Sequence, residues 1–197
     1  MFTEWRMVRL LHGDVGSGKT IVAFLAMLKA VESGGQSALM APTEILAQQH
    51  FKTIAALAET IGVSCSLLSG RIKPDSRKKI LADLGKGKIS ILVGTHAVFQ
   101  NDVSFKNLAL AVIDEQHKFG VHQRLNLQNK GKGVNLLVMT ATPIPRTLMM
   151  TAYGDLDVSQ LTEKPSGRKK VSTAAIPIDR LEEVIASIER EIANGGQ

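Results

Sequence analysis

An α/β fold, a parallel sheet with helices on both faces, is the class this sequence predicts, and three observations predict it. Short runs rich in Val, Ile, Leu and Ala alternate with longer segments of helical period. The runs carry no alternating polar residues, which is how strands buried on both faces read. The residues with evident chemistry stand just after the runs, where the carboxyl ends of parallel strands gather working groups.

"MVRLL" leads as a strand into a glycine-rich turn and then "KTIVAFLAMLKAV", apolar almost all round and therefore expected as a buried helix. "SALMA" is the next strand, followed by Pro42 and by Thr43, a residue suited to cap a helix. Within that helix Ala47, Phe51, Ile54, Ala58 and Ile61 recur at spacings of four and three, marking its buried face. "VSCSLL" reads as a strand and "DSRKKILADL", after Pro74, as a helix. "ISILVGT", "LALAVIDE" and "VNLLVMTAT" complete the sheet, with crossovers expected to be right-handed. At "TEKPSGRKK", residues 162–170, Pro, Gly and four positive charges suggest a linker. Beyond it come a short strand, "VSTAAIPI", and a helix with Leu181, Val184, Ile185, Ile188 and Ile192 on one face. The expected organisation is a first domain over 1–162, a linker over 163–170 and the start of a second domain over 171–197. The alternative for the last segment is a terminal helix docked on the first domain.

Composition narrows the function classes. A chain of 197 residues with 44% hydrophobic and 21% charged content reads as soluble and globular. Its apolar stretches are interrupted well before the ~18 residues of a membrane span. Phe2, Thr3, Glu4 and Trp5 do not open a signal segment. The single cysteine, Cys65, excludes an internal disulfide framework and a multi-cysteine metal site. A cytoplasmic protein with no membrane partner is expected. The net charge of +6 leans weakly toward nucleic acid. Aromatic content of 4% offers no stacking platform, so nucleic acid would be held through its phosphate backbone.

The most specific motif is "GDVGSGKT", which fits G-x-x-x-x-G-K-[ST] between a strand and a helix. Gly13, Gly16 and Gly18 allow a tight turn whose N–H groups, with those of Asp14, Val15 and Ser17, face phosphate oxygens. The helix starting near Lys19 adds its positive dipole end. Lys19 would reach the β- and γ-phosphates, and Thr20 would ligate Mg²⁺. The bland alternative is a glycine-rich turn that matches by accident.

A P-loop needs an acidic partner from a neighbouring strand. Asp114, ending "LALAVID", meets that need as a second metal-side ligand, and Glu115 would be the base that activates water. A divalent cation between Asp114 and the phosphates would relieve the repulsion of adjacent acids. A solvated strand end is the alternative for the pair. Catalysis is thus assigned to Lys19, Asp114 and Glu115.

"GDVGSGKT", "APTEILAQQH", "GTHAVF", "DEQHKFGVHQR", "MTATPIPRTL" and "YGDLDVS" occur in this order along residues 7 to 197. Together they resemble the RecA-like first motor domain of superfamily-two helicases, and most closely the RecG family of bacterial branch-migration DNA helicases. The transcription-repair coupling factors are similar but usually carry Glu where this chain has Gln116. The resemblance implies an ATP- and Mg²⁺-dependent motor that translocates on branched or forked DNA in recombination and repair. It places Pro42, Thr43 and Leu46, and Gly94, Thr95 and His96, in loops that contact the DNA backbone. Gln116 and His117, with Thr140 and Thr142, would couple hydrolysis to DNA movement. Each has a plainer alternative: a helix cap for Thr43, a strand end for Thr95 and His96, local backbone bonding for the threonines, a packed histidine for His117. Arg124 and Arg146 are candidate phosphate or interdomain contacts, or plain surface residues. "GRIKPDSRKK" supplies five positive charges, which read as a solvated helix face or, through Arg71, as a DNA contact.

The resemblance also implies parts that these residues do not supply. A RecG-like enzyme has a wedge domain that splits branched DNA and a second motor domain whose arginines reach the γ-phosphate. In the family a glutamine-containing motif upstream of these residues would read the adenine, and His12 stands where Gln is expected, a minor departure in the nucleotide pocket. Without the second motor domain, the chain is expected to bind nucleotide, to hydrolyse it slowly at best, and not to unwind DNA. A nucleotide-binding segment without turnover is the competing reading.

Overall fold

The computed structural model describes residues 6–70, 72–114, 133–142, 156–163 and 173–195. The chain divides into two compact units, Met1–Pro165 and Ser166–Gln197.

In the first unit seven strands form one parallel sheet in the order β3-β4-β2-β5-β6-β1-β7. They are β1 (Val8–Gly13), β2 (Gln36–Met40), β3 (Cys65–Leu68), β4 (Ile91–Gly94), β5 (Leu108–Asp114), β6 (Asn135–Thr140) and β7 (Asp157–Leu161). Helices α1 (Lys19–Glu32), α2 (Glu44–Thr60) and α3 (Pro74–Gly85) occupy the first three connections.

Strand period explains why the runs are apolar throughout. Leu11, Leu39, Ile91, Val93, Leu110, Val112, Leu137 and Met139 point to one face, where they pack with Ala23, Phe24 and Met27 of α1 and Ala47, Ile54 and Ala58 of α2. Their neighbours Leu10, Ala38, Met40, Leu92, Ala111, Ile113, Leu136 and Val138 point to the other, with Leu84 of α3 and Val98 and Phe99. Alternate residues thus serve two cores, and a central strand has no polar face.

Several elements differ from the sequence expectation. Helix α1 buries only Ala23, Phe24, Met27 and Ala30, while Ile21, Val22 and Leu25 are exposed. A helix lying on one sheet face can cover only a stripe of its circumference, whatever its remaining residues are. Ile61 is exposed because α2 ends at Thr60 and Ile61 is its C-cap. Strand β3 is only partly buried, since it lies at the sheet edge. Strand β7 was not anticipated: "DVSQL" is short and polar, with an exposed edge. It is held to β1 by Arg9, which donates to Asp157 Oδ2 and Ser159 Oγ, each at 2.8 Å.

In the second unit, α4 (Leu181–Ala193) follows a single 3-10 turn, Ile178–Arg180. The strand expected over 171–178 is not formed in its described part, because residues 173–177 have no regular structure. A strand needs a hydrogen-bonding neighbour, and none exists among this unit's described residues. The expected stripe of α4 is present, with Leu181, Ile185, Ile188 and Ile192 exposed. Among the described residues no helix is long and apolar enough to cross a membrane.

Candidate nucleotide-binding site

Because the sheet is parallel, the loops after β1, β2, β4, β5 and β6 leave from one edge. Chain positions far apart in sequence meet there.

After β1 the chain turns through Gly16 (φ 79°) and Gly18 (φ 92°), a left-handed conformation that favours glycine. Gly13 is held by space instead: a Cβ there would lie 2.5 Å from Ser17 Oγ. The turn is fastened by Ser17 N–H donating to the Asp14 carbonyl at 3.1 Å and Val15 N–H donating to Asp14 Oδ1 at 2.8 Å. Lys19 folds back over it, its Nζ donating to the carbonyls of Gly13 at 2.6 Å and Asp14 at 2.9 Å. The N-terminus of α1 has no side-chain cap and no acidic residue in its first turn. Ser17 Oγ is buried and without a hydrogen-bond partner among the described residues. An uncapped helix end and an orphaned hydroxyl beside a lysine held only by neutral carbonyls fit a polyphosphate, whose oxygens bring acceptors and negative charge.

Asp114 closes β5 and is nearly buried, 9% exposed. Strand β6 separates it from β1, so the two strand ends stand about 10 Å apart at ordinary strand spacing. With its proton on Nε2, His50 of α2 donates to Asp114 Oδ2 at 2.7 Å. Sequence reasoning had not singled out His50. The signal was there, since His50 lies three residues after buried Ala47 and so on the inward side of its helix. Among the described residues no three His, Cys, Asp or Glu groups assemble into a metal cluster. A cation here would therefore depend on Asp114, the Thr20 hydroxyl and the ligand's own phosphates, the sparse protein set typical of Mg²⁺. The residues fit that ion.

Thr140 is fully buried at the end of β6, paired in register with His12. Its Oγ1 lies 2.9 Å from Thr142 Oγ1 and accepts the Thr142 N–H at 3.1 Å, so the two threonines form a local unit. Thr43, preceded by Pro42, caps α2 by accepting the Leu46 N–H at 3.3 Å. Leu46 packs against the α1–α2 side core. Strands β2 and β4 pair Met40 with Gly94, which sets the Pro42–Leu46 and Gly94–His96 stretches side by side. Gly94 and Thr95 are buried there, while His96 is exposed. Glu44 Oε1 accepts the Gly70 N–H at 3.0 Å, fastening the start of the basic stretch beside α2. Within that stretch Lys73, Lys78 and Lys79 are exposed, whereas Arg77 pairs with Asp102 at 2.8 Å. Glu115, Gln116, His117, Arg71, Arg124 and Arg146 lie outside the described residues. Burial pushes the Cys65 thiol up to about 12, so it stays protonated near neutral pH and is no nucleophile.

The family model for DEAD/DEAH box helicases matches residues 6–151. The chain is 51% identical over 197 residues to the ATP-dependent DNA helicase RecG of Bacillus subtilis, covering 100% of this chain and 29% of that protein. Against the RecG of Thermotoga maritima identity is 50%, covering 100% of this chain and 25% of the relative. A solved structure of RecG bound to a three-way DNA junction superposes with a TM-score of 0.86 at 48% identity, over 99% of this chain and 26% of that one. The Hef helicase domain of Pyrococcus furiosus, at 21% identity and a TM-score of 0.60 over 78% of this chain and 35% of that one, shares the fold. This chain thus spans less than a third of the length of these RecG relatives. With its parallel sheet and its glycine turn ahead of α1, the chain belongs to the DEAD/DEAH box helicase family.

Proposed function

We propose that this chain is the first motor domain of an ATP-dependent DNA helicase similar to RecG. In it, ATP hydrolysis would drive translocation on branched DNA, for fork reversal and Holliday junction branch migration in recombination and repair. The observation that carries the reading is the turn from Gly13 to Thr20, whose buried Ser17 hydroxyl and uncapped helix end lack acceptors and charge of the kind a triphosphate brings.

The individual roles belong to the same reading. Backbone N–H groups from Gly13 to Thr20 cradle the phosphates, and Lys19 exchanges two neutral carbonyls for their negative oxygens, a stronger charge-assisted bond. Thr20 and Asp114 would hold Mg²⁺, which would neutralise charge on the phosphates. Glu115 orients and deprotonates the attacking water. Gln116, His117, Thr140 and Thr142 relay the state of the site. Pro42, Thr43, Leu46, Arg71 and Gly94–His96 meet the DNA backbone. Domain limits of 1–162 and 171–197, joined by 163–170, a cytoplasmic location, and a wedge and a second motor domain as partners belong to the same proposal.

Titration with a fluorescent ATP analogue tests it. Lys19→Ala should bind roughly tenfold to a hundredfold more weakly than wild type, the worth of a lost hydrogen bond to a charged group. Equal affinity in the two proteins would remove the P-loop reading.

A further inference from the structure

We propose that His50 is a positioning residue for the Asp114 carboxylate, a role that rests on the nucleotide-site reading above. The two side chains are 64 residues apart in sequence and meet at 2.7 Å, His50 Nε2 to Asp114 Oδ2, with side-chain exposures of 13% and 11%. A carboxylate at so covered a strand end needs a hydrogen-bond donor. A solvent-exposed aspartate could take one from water and swing between rotamers, whereas this one takes it from an imidazole fixed to a 17-residue helix.

Three features make the bond more than packing. The imidazole occupies Oδ2 and leaves Oδ1 for a cation, so the direction in which the carboxylate presents that oxygen is set before any ligand arrives. Ala47 and Ile54, on the same side of α2 as His50, are fully buried, so the ring's attachment cannot drift. The helix begins at the Thr43 cap, which ties Asp114 by one rigid element to the stretch proposed to meet DNA. Side chains that orient a metal-binding carboxylate act through its geometry, and their loss weakens the metal rather than the rest of the site.

The test measures affinity for a fluorescent ATP analogue with magnesium and in EDTA, in wild type, His50→Ala and His50→Gln. Glutamine can place its amide Nε2 where the imidazole Nε2 stands. His50→Ala should leave the affinity in EDTA unchanged and lower the apparent Mg²⁺ affinity by about tenfold to a hundredfold. His50→Gln should recover most of it. Melting curves accompany each variant, because a merely structural histidine would shift the melting temperature without changing the magnesium requirement. A magnesium-dependent wild type matched by His50→Ala overturns this proposal alone. A wild type whose affinity ignores magnesium overturns the underlying reading and this proposal together.

Discussion

A Cβ built on Gly94 would collide with the Leu68 carbonyl oxygen and lie 2.6 Å from Val98 Cγ2. The end of β4 therefore passes between β3 and the 3-10 turn His96–Phe99 with no room for a side chain. Gly94→Ala should cost about 1–3 kcal/mol through overpacking, read as a lower urea midpoint. An unchanged midpoint would mean the backbone yields more easily than a paired strand should. The glycine in "GTH" thus has a steric reason that holds whether or not the loop meets DNA. Other residues were legible singly: Thr43 has the side chain of a helix cap and is one, and Lys19 follows a turn whose left-handed positions, Gly16 and Gly18, favour glycine. His50 was less legible, because its partner lies on a strand that sequence proximity does not indicate.

At the scale of elements, buried polar side chains decide how strands and helices are fastened. Gln36, 4% exposed at the start of β2, donates through Nε2 to the carbonyls of Leu84 at 2.9 Å and Ile89 at 2.7 Å. Its Oε1 accepts the Asn107 N–H at 3.0 Å. One amide thus joins the end of α3, the approach to β4 and the approach to β5. Gln36→Leu should leave the Ile89 carbonyl and the Asn107 N–H without this partner, at about 1–3 kcal/mol for a buried group left unpaired. Chemical denaturation measures it, and a midpoint equal to wild type would show that water replaces the amide. The central strands were legible as elements because both their faces are apolar. Strand β7 was not, because its stability comes from pairing with β1 and from Arg9 rather than from its own pattern. Helix α1 misled in the opposite direction: an apolar circumference does not create a second surface to bury it.

For the whole molecule, the proposed function implies a site completed by a second motor domain. Extending the polypeptide to the length of its relatives should raise DNA-stimulated ATP turnover by about 10³-fold or more, the worth of an arginine finger. A steady-state ATPase assay with forked DNA measures it, and turnover equal to that of the 197-residue chain would refute the division of the site between domains. The sequence by itself determined the strand–helix alternation, the glycine turn and the acid at the end of "LALAVID". These are local patterns, set by side-chain period and by the backbone freedom of glycine. Only the tertiary structure decided the order β3-β4-β2-β5-β6-β1-β7, which brings Asp114 under His50 and sets the Pro42–Leu46 stretch beside Gly94–His96. The physical reason is that strands apolar on both faces are interchangeable by pattern. Which ones pair is settled by hydrogen bonds and packing between residues far apart in the chain.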